Sequence, residues 1–80
     1  MADIRKFGTH YPQIDNSAFI DDSAVIIGQI SIHKNASIWC NVVARGDVSH
    51  IEIGENTNIQ DLTMLHVTHY NPGKSDEYPL

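Results

Sequence analysis

Large aliphatic residues mark every sixth position of this chain: Ile14, Ile20, Ile26, Ile32 and Ile38 keep the interval, Ala44 continues it, and after a slip of three residues Ile53, Ile59 and Leu65 resume it. A second set, mostly small, stands four places after each beat: Ala18, Ala24, Ala36, Val42, Thr57 and Thr63, with Ile30 the bulky exception. An α-helix returns to one face about every 3.6 residues and a flat strand about every two, so neither produces this interval. A coil with flat sides does, each hexapeptide supplying a short strand and a corner. Three hexapeptides close one triangular turn, which predicts an all-β fold, a parallel β-helix with successive turns at residues 14–31, 32–49 and 53–70. Turns stacked at the strand spacing of about 4.8 Å place Ile14 under Ile32 under Ile53, Ile20 under Ile38 under Ile59, and Ile26 under Ala44 under Leu65. Each buried aliphatic contributes about 1.5–3 kcal/mol, so these columns can hold the stack together. The interval leaves the hand of the coil open.

The segments outside the beat have their own expectations. Residues 1–13, with Tyr11 and Pro12, read as a lead-in strand covering the first turn. The slip at 44–52 reads as a loop insertion projecting from one corner, a place where function tends to sit. Residues 71–80, with Pro72 and Gly73, read as a loop and the start of a coil that the sequence does not contain. The whole of 1–80 is then a single partial β-helix domain, whose open upper turn needs covering by another chain or by further residues.

Composition narrows the partners. A formal charge of −5 with only five Lys and Arg argues against nucleic acid or an anionic membrane surface. No stretch is apolar enough to span a bilayer, and residues 1–13 lack the apolar centre of a signal peptide. The single Cys40 excludes an internal disulfide and fits a reducing cytoplasm.

The chemistry lies beside the beat. If beat residues point inward, the residues after them point outward, so Ile27, Arg45 and His66 form an external column with His66 one turn above Arg45. On the neighbouring face Gln60 and Asp61 lie over Trp39 and Cys40, and Asp47 follows Arg45 by two residues. A guanidinium, two carboxylates, an amide and an imidazole around one edge suit a metal site with an oriented surround. Plainer readings accompany this one: His66 as a surface histidine, Arg45 with Asp47 as a structural ion pair, Cys40 as a structural thiol, and Trp39 as a packing residue. His10, His33 and His50 are expected to face solvent. His69 follows His66 by three residues, which in extended backbone turns the two rings to opposite faces.

The ordered segments Trp39 to Asp47 (WCNVVARGD), Ile53-Gly54, Thr57 to Asp61 (TNIQD) and Leu65 to His69 (LHVTH) resemble the gamma-class carbonic anhydrase-like proteins, in their bacterial hexapeptide-repeat branch. The beat alone is shared with many acyltransferases, whereas the ordered motifs are specific. The resemblance implies a left-handed β-helix and a homotrimer. It also implies zinc, or iron or cobalt in some members, held by three histidines between adjacent subunits. His66 corresponds to the first of those ligands, Arg45 and Asp47 to the pair that orients the subunit contact and the site, and Gln60 and Asp61 to the pair beside metal-bound solvent. The family's other two ligand histidines belong to a later turn that this sequence does not contain, and Leu62 stands where a small residue is common.

In its complete form such a protein is expected to hydrate carbon dioxide reversibly to bicarbonate, with metal-bound hydroxide as nucleophile, while the 80-residue chain alone is expected to be inactive. Two other classes compete. One is a hexapeptide acyltransferase, with a histidine as general base and acyl-CoA in a subunit cleft. The other is a trimeric scaffold that keeps the coil without the chemistry.

Overall fold

The computed structural model describes residues 1–67, so the expectations for the end of the third turn, for the loop at 71–80 and for His69 lie outside the described residues. Eight strands follow one another: β1 (Asp3–Arg5), β2 (Gln13–Ile14), β3 (Phe19–Ile20), β4 (Val25–Ile32), β5 (Ser37–Ile38), β6 (Val43–Ile53), β7 (Asn58–Ile59) and β8 (Met64–His66). Every pairing between them is parallel. Each strand pairs with one a full turn away rather than with its neighbour in sequence, which makes the chain a β-helix of about three turns.

The predicted columns are the observed register. Ile14 pairs with Ile32 and Ile32 with Ile53, Ile20 with Ile38 and Ile38 with Ile59, and Ile26 with Ala44 and Ala44 with Leu65. Ile32, Ile38 and Ala44 of the middle turn are buried, as is Ile26 of the first turn, which β1 covers from below, whereas Ile14, Ile20, Ile59 and Leu65 are partly buried because their rungs have a neighbour on one side only. The lead-in extends the third column downward: β1 pairs beneath β4, with Ile4 under Ile26.

Two of the three corners are tight turns, and their residues explain why. In the first turn Asp15 and Asp21 each accept two bonds, from the backbone N–H and the hydroxyl of the serine two residues on, Ser17 and Ser23. Those hydroxyls in turn accept the backbone N–H of Asn35 and Asn41, one turn above, at 2.9 and 2.7 Å. Asn35, Asn41 and Asn56 take positive φ of 60°, 56° and 61°, a conformation that asparagine tolerates better than most residues. Leu62 takes φ 64° at the equivalent place, without that tolerance.

The third corner is made differently. β4 and β6 run around it as continuous strands, β4 bending at Gly28, whose φ is 85°. The expected loop at 44–52 is corrected here. The three extra residues do lie in that interval, between the pairs Gly28–Gly46 and Ile30–Ile51, but β6 carries them as a register shift within an unbroken strand. They fit because Ser49 turns inward and Ile51 is buried in register with Ile30, which also accounts for the one bulky residue in the small-residue column.

Candidate functional site

The third face carries β4, β6 and β8 in adjacent rungs, and on it Ile27 pairs with Arg45 and Arg45 with His66. Ala44 and Leu65 point into the core, so alternation along the strand sends Arg45 and His66 outward, where both are exposed. His66 and Arg45 therefore leave the same face one rung apart, as the spacing predicted. A second outward column runs beside it, Val25, Val43 and Met64, which leaves one side of the pair apolar. Met64 is 48% exposed.

Asp47 reaches Arg45 because β6 turns the corner at Gly46. Its Oδ2 lies 3.5 Å from Arg45 Nη1, while Oδ1 accepts the N–H of Val48 at 2.8 Å. A half-exposed ion pair of this length is worth about 0–1 kcal/mol, so its consequence is orientation rather than stability.

Gln60 and Asp61 follow β7 and form the second corner. Trp39 N–H donates to the Ile59 carbonyl at 3.0 Å and Leu62 N–H to the Cys40 carbonyl at 2.9 Å, which sets Gln60 and Asp61 over Trp39 and Cys40 as expected. The Thr63 hydroxyl donates to the Gln60 carbonyl at 2.7 Å and closes the corner. Both side chains are exposed. Among the described residues no hydrogen bond or ion pair joins them to Arg45, Asp47 or His66, so the five predicted residues form two groups on adjoining faces.

Cys40 has the character of a structural thiol. Desolvation, with the carboxylates of Asp21 and Asp61 nearby, pushes it above the usual thiol range, away from thiolate reactivity. Trp39 stacks outward on Phe19, with ring centroids 4.8 Å apart.

The donor set decides what these residues can hold by themselves. Among the described residues no three His, Cys, Asp or Glu side chains gather closely enough for a metal ion. Of those residues, His66 stands as a lone exposed imidazole on its face, and His33 is engaged with Glu52 at 2.8 Å. The described residues by themselves therefore form no metal site.

Several structural residues escaped the sequence reading. The aspartate–serine–asparagine relays were foreshadowed by the paired segments Ile14-Asp15-Asn16-Ser17-Ala18 and Ile20-Asp21-Asp22-Ser23-Ala24. The Gly28–Gly46 contact was foreshadowed by two glycines one turn apart beside the third column.

No protein-family model matches the chain. Individual proteins do. The chain is 46% identical over 81 residues to Protein YrdA of Escherichia coli, an alignment covering all of this chain and 44% of that protein. It is 49% identical over 61 residues to a carbonic anhydrase of Geobacillus kaustophilus, covering 76% of this chain and 34% of that protein. A solved hexapeptide transferase family protein from Anaplasma phagocytophilum superposes with a TM-score of 0.76 at 50% identity, over 78% of this chain and 37% of that one. The chain spans less than half the length of the curated relatives it matches. With stacked parallel rungs and the ordered Arg45, Asp47, Gln60, Asp61 and His66 motifs in register, the chain belongs to the gamma carbonic anhydrase-like family of hexapeptide-repeat, left-handed β-helix proteins.

Proposed function

We propose that this chain is the His66-bearing part of a gamma carbonic anhydrase-type centre which, in the complete protein, hydrates carbon dioxide reversibly. The observation that carries the reading is the register of His66 over Arg45, with Asp47 brought back onto the guanidinium around the Gly46 corner. In it His66 is one of three imidazole ligands, and the other two come from residues beyond this chain. A zinc ion, or iron or cobalt, would there supply a water acidified to a pKa of about 7. This chain's own residues orient and bind. Arg45, fixed by Asp47, lies beneath the ligand, and the amide of Gln60 with the carboxylate of Asp61 offers hydrogen bonds to solvent from the adjoining face. Because the described residues present one ligand, we assign the chemistry to the complete protein and none to this stretch alone.

A homotrimer completes the proposal, supported by the apolar outward column Val25, Val43 and Met64 beside Arg45. Such a surface suits a subunit contact that brings a second chain's ligands to His66. The lone, unactivated Cys40 suits a cytoplasmic setting.

The test is metal analysis and carbon dioxide hydration of the full-length protein, with His66→Ala beside it. Metal bound at about one per subunit and lost with the imidazole supports the proposal. Full metal content in His66→Ala removes His66 from the site and the proposal with it.

The alternative with an observation behind it is acyl transfer, since a relative at 50% identity is described as a hexapeptide transferase family protein. Coenzyme A raising the melting temperature of the full-length protein, with no metal bound, would favour that reading. A trimer that binds neither metal nor coenzyme A would be a scaffold.

A further inference from the structure

Across the third corner from Arg45 and His66, the first face carries a polar recess of about 310 Å³. Its floor is an outward column, Gln13 paired with Ser31 and Ser31 with Glu52. Its wall is the turn joining β1 to β2. Phe7 and His10 exchange two backbone hydrogen bonds, at 2.8 and 3.0 Å, with Gly8 at φ 62° between them, as a two-residue turn of this hand requires. A Cβ added at Gly28 would stand 3.1 Å from the Phe7 Cβ, so this turn is seated against the glycine corner of β4. That seating makes His10 and Tyr11 line the recess together with His50 and Glu52 of β6.

The charges select the occupant. No Lys or Arg lines the recess, and Glu52 is its one carboxylate. Glu52 is also oriented: His33 Nε2 lies 2.8 Å from its Oε1, leaving the second carboxylate oxygen for a ligand. The titratable neighbours are His10 and Tyr11 on the turn, His50 on β6, and, beyond the His33–Glu52 ridge, Asp15 with Lys34 near it. The chain as a whole carries −5, which draws cations and repels anions. Among the described residues no three ligand groups stand close enough for a metal ion, so an organic cation is favoured over an inorganic one.

We propose that this recess binds a small organic amine, its ammonium on Glu52 and its remaining polar groups on Gln13, Tyr11 and the imidazoles of His10 and His50. The site is separate from the Arg45–His66 face and needs no metal, so it stands or falls independently of the proposed hydratase chemistry.

Titration of the full chain with 1,4-diaminobutane, followed through the imidazole resonances by NMR at about pH 8, tests it. The expected result is saturable shifts of His10 and His50, with binding weakened about tenfold or more in Glu52→Gln. Glu55→Gln, which removes an exposed carboxylate elsewhere, is expected to leave binding unchanged. Three results would overturn the proposal: no shift at millimolar diamine, equal binding by Glu52→Gln with its strand spectrum intact, or equal weakening by Glu55→Gln, which would mean diffuse attraction to a negative surface.

Discussion

A Cβ placed on Gly28 would come within 2.5 Å of the carbonyl oxygen of Gly46, one turn above. The two glycines form the third corner by backbone contact, and the same corner swings Asp47 toward Arg45 on one side and seats Phe7 on the other. Gly28→Ala must therefore both clash with backbone and hold a side chain at φ 85°. The left-handed conformation alone costs a non-glycine residue about 1–2 kcal/mol, and the overlap adds to it. Urea denaturation of Gly28→Ala is expected to show a loss of about 2 kcal/mol or more. A loss under about 0.5 kcal/mol, the size of an ordinary surface substitution, would mean that the corner yields easily.

Leu62 predicts a gain. It is 76% exposed, so its side chain contributes little to packing, yet its backbone sits at φ 64°. Leu62→Gly removes the steric cost of that conformation, offset in part by the freer unfolded chain, for a net gain of about 1 kcal/mol. Leu62→Asn, matching Asn35, Asn41 and Asn56, should gain a smaller amount. Thermal melts of the three proteins rank them, and a Gly variant less stable than Leu would contradict the account. The exposed side chain crowds nothing, so the backbone carries the strain.

The two capping aspartates give the chain an acid limit. Hydrogen bonds from the Ser17 hydroxyl and N–H hold Asp15 below the usual carboxylate range, and those from Ser23 do the same for Asp21. A carboxyl lowered on folding stabilises the native state above its unfolded pKa. That contribution shrinks as pH drops below about 4 and is gone once pH has fallen through the lowered, folded value. Asp15→Asn and Asp21→Asn should each flatten the stability profile in this acid window and lower stability at neutral pH. An unchanged profile in the double variant would show that the relays do not couple to folding.

Ser49 offers a test inside the prism. The residue is 2% exposed, and its buried hydroxyl finds no partner among the described residues. A buried hydroxyl without a hydrogen bond costs about 1–3 kcal/mol, while the cavity left by removing one oxygen is small. Ser49→Ala is expected to be more stable by about 1 kcal/mol, measured by chemical denaturation. Ser49→Val should lose stability, because a residue buried to this degree has no open space for added methyl groups.

The columns and the outward pair were legible because both follow from counting. A six-residue interval fixes which side chain lies over which, so Ile26 under Ala44 under Leu65 and Arg45 under His66 needed no coordinates. What counting missed is set by short-range chemistry. The slip at 44–52 has the length of a loop, and only the inward turn of Ser49 and the pairing of Ile51 with Ile30 make it a continuous strand. Gln60 and Asp61 fell over Trp39 and Cys40 as predicted, yet the corner between them and His66 keeps the two groups apart, since a triangular coil changes face at each turn. His33 was read as facing solvent. It is exposed, but it also bridges to Glu52, because a side chain can lean diagonally to the next rung.

The unbroken path of β4 and β6 around the Gly28–Gly46 corner divides the molecule by how readily its amides exchange with solvent. Two faces share long ladders there, while β3, β5 and β7 pair through only two residues each. Deuterium uptake should accordingly be slowest at 25–32 and 43–53 and fastest along the Phe19–Trp39 side, making that side the first to open under thermal fluctuation.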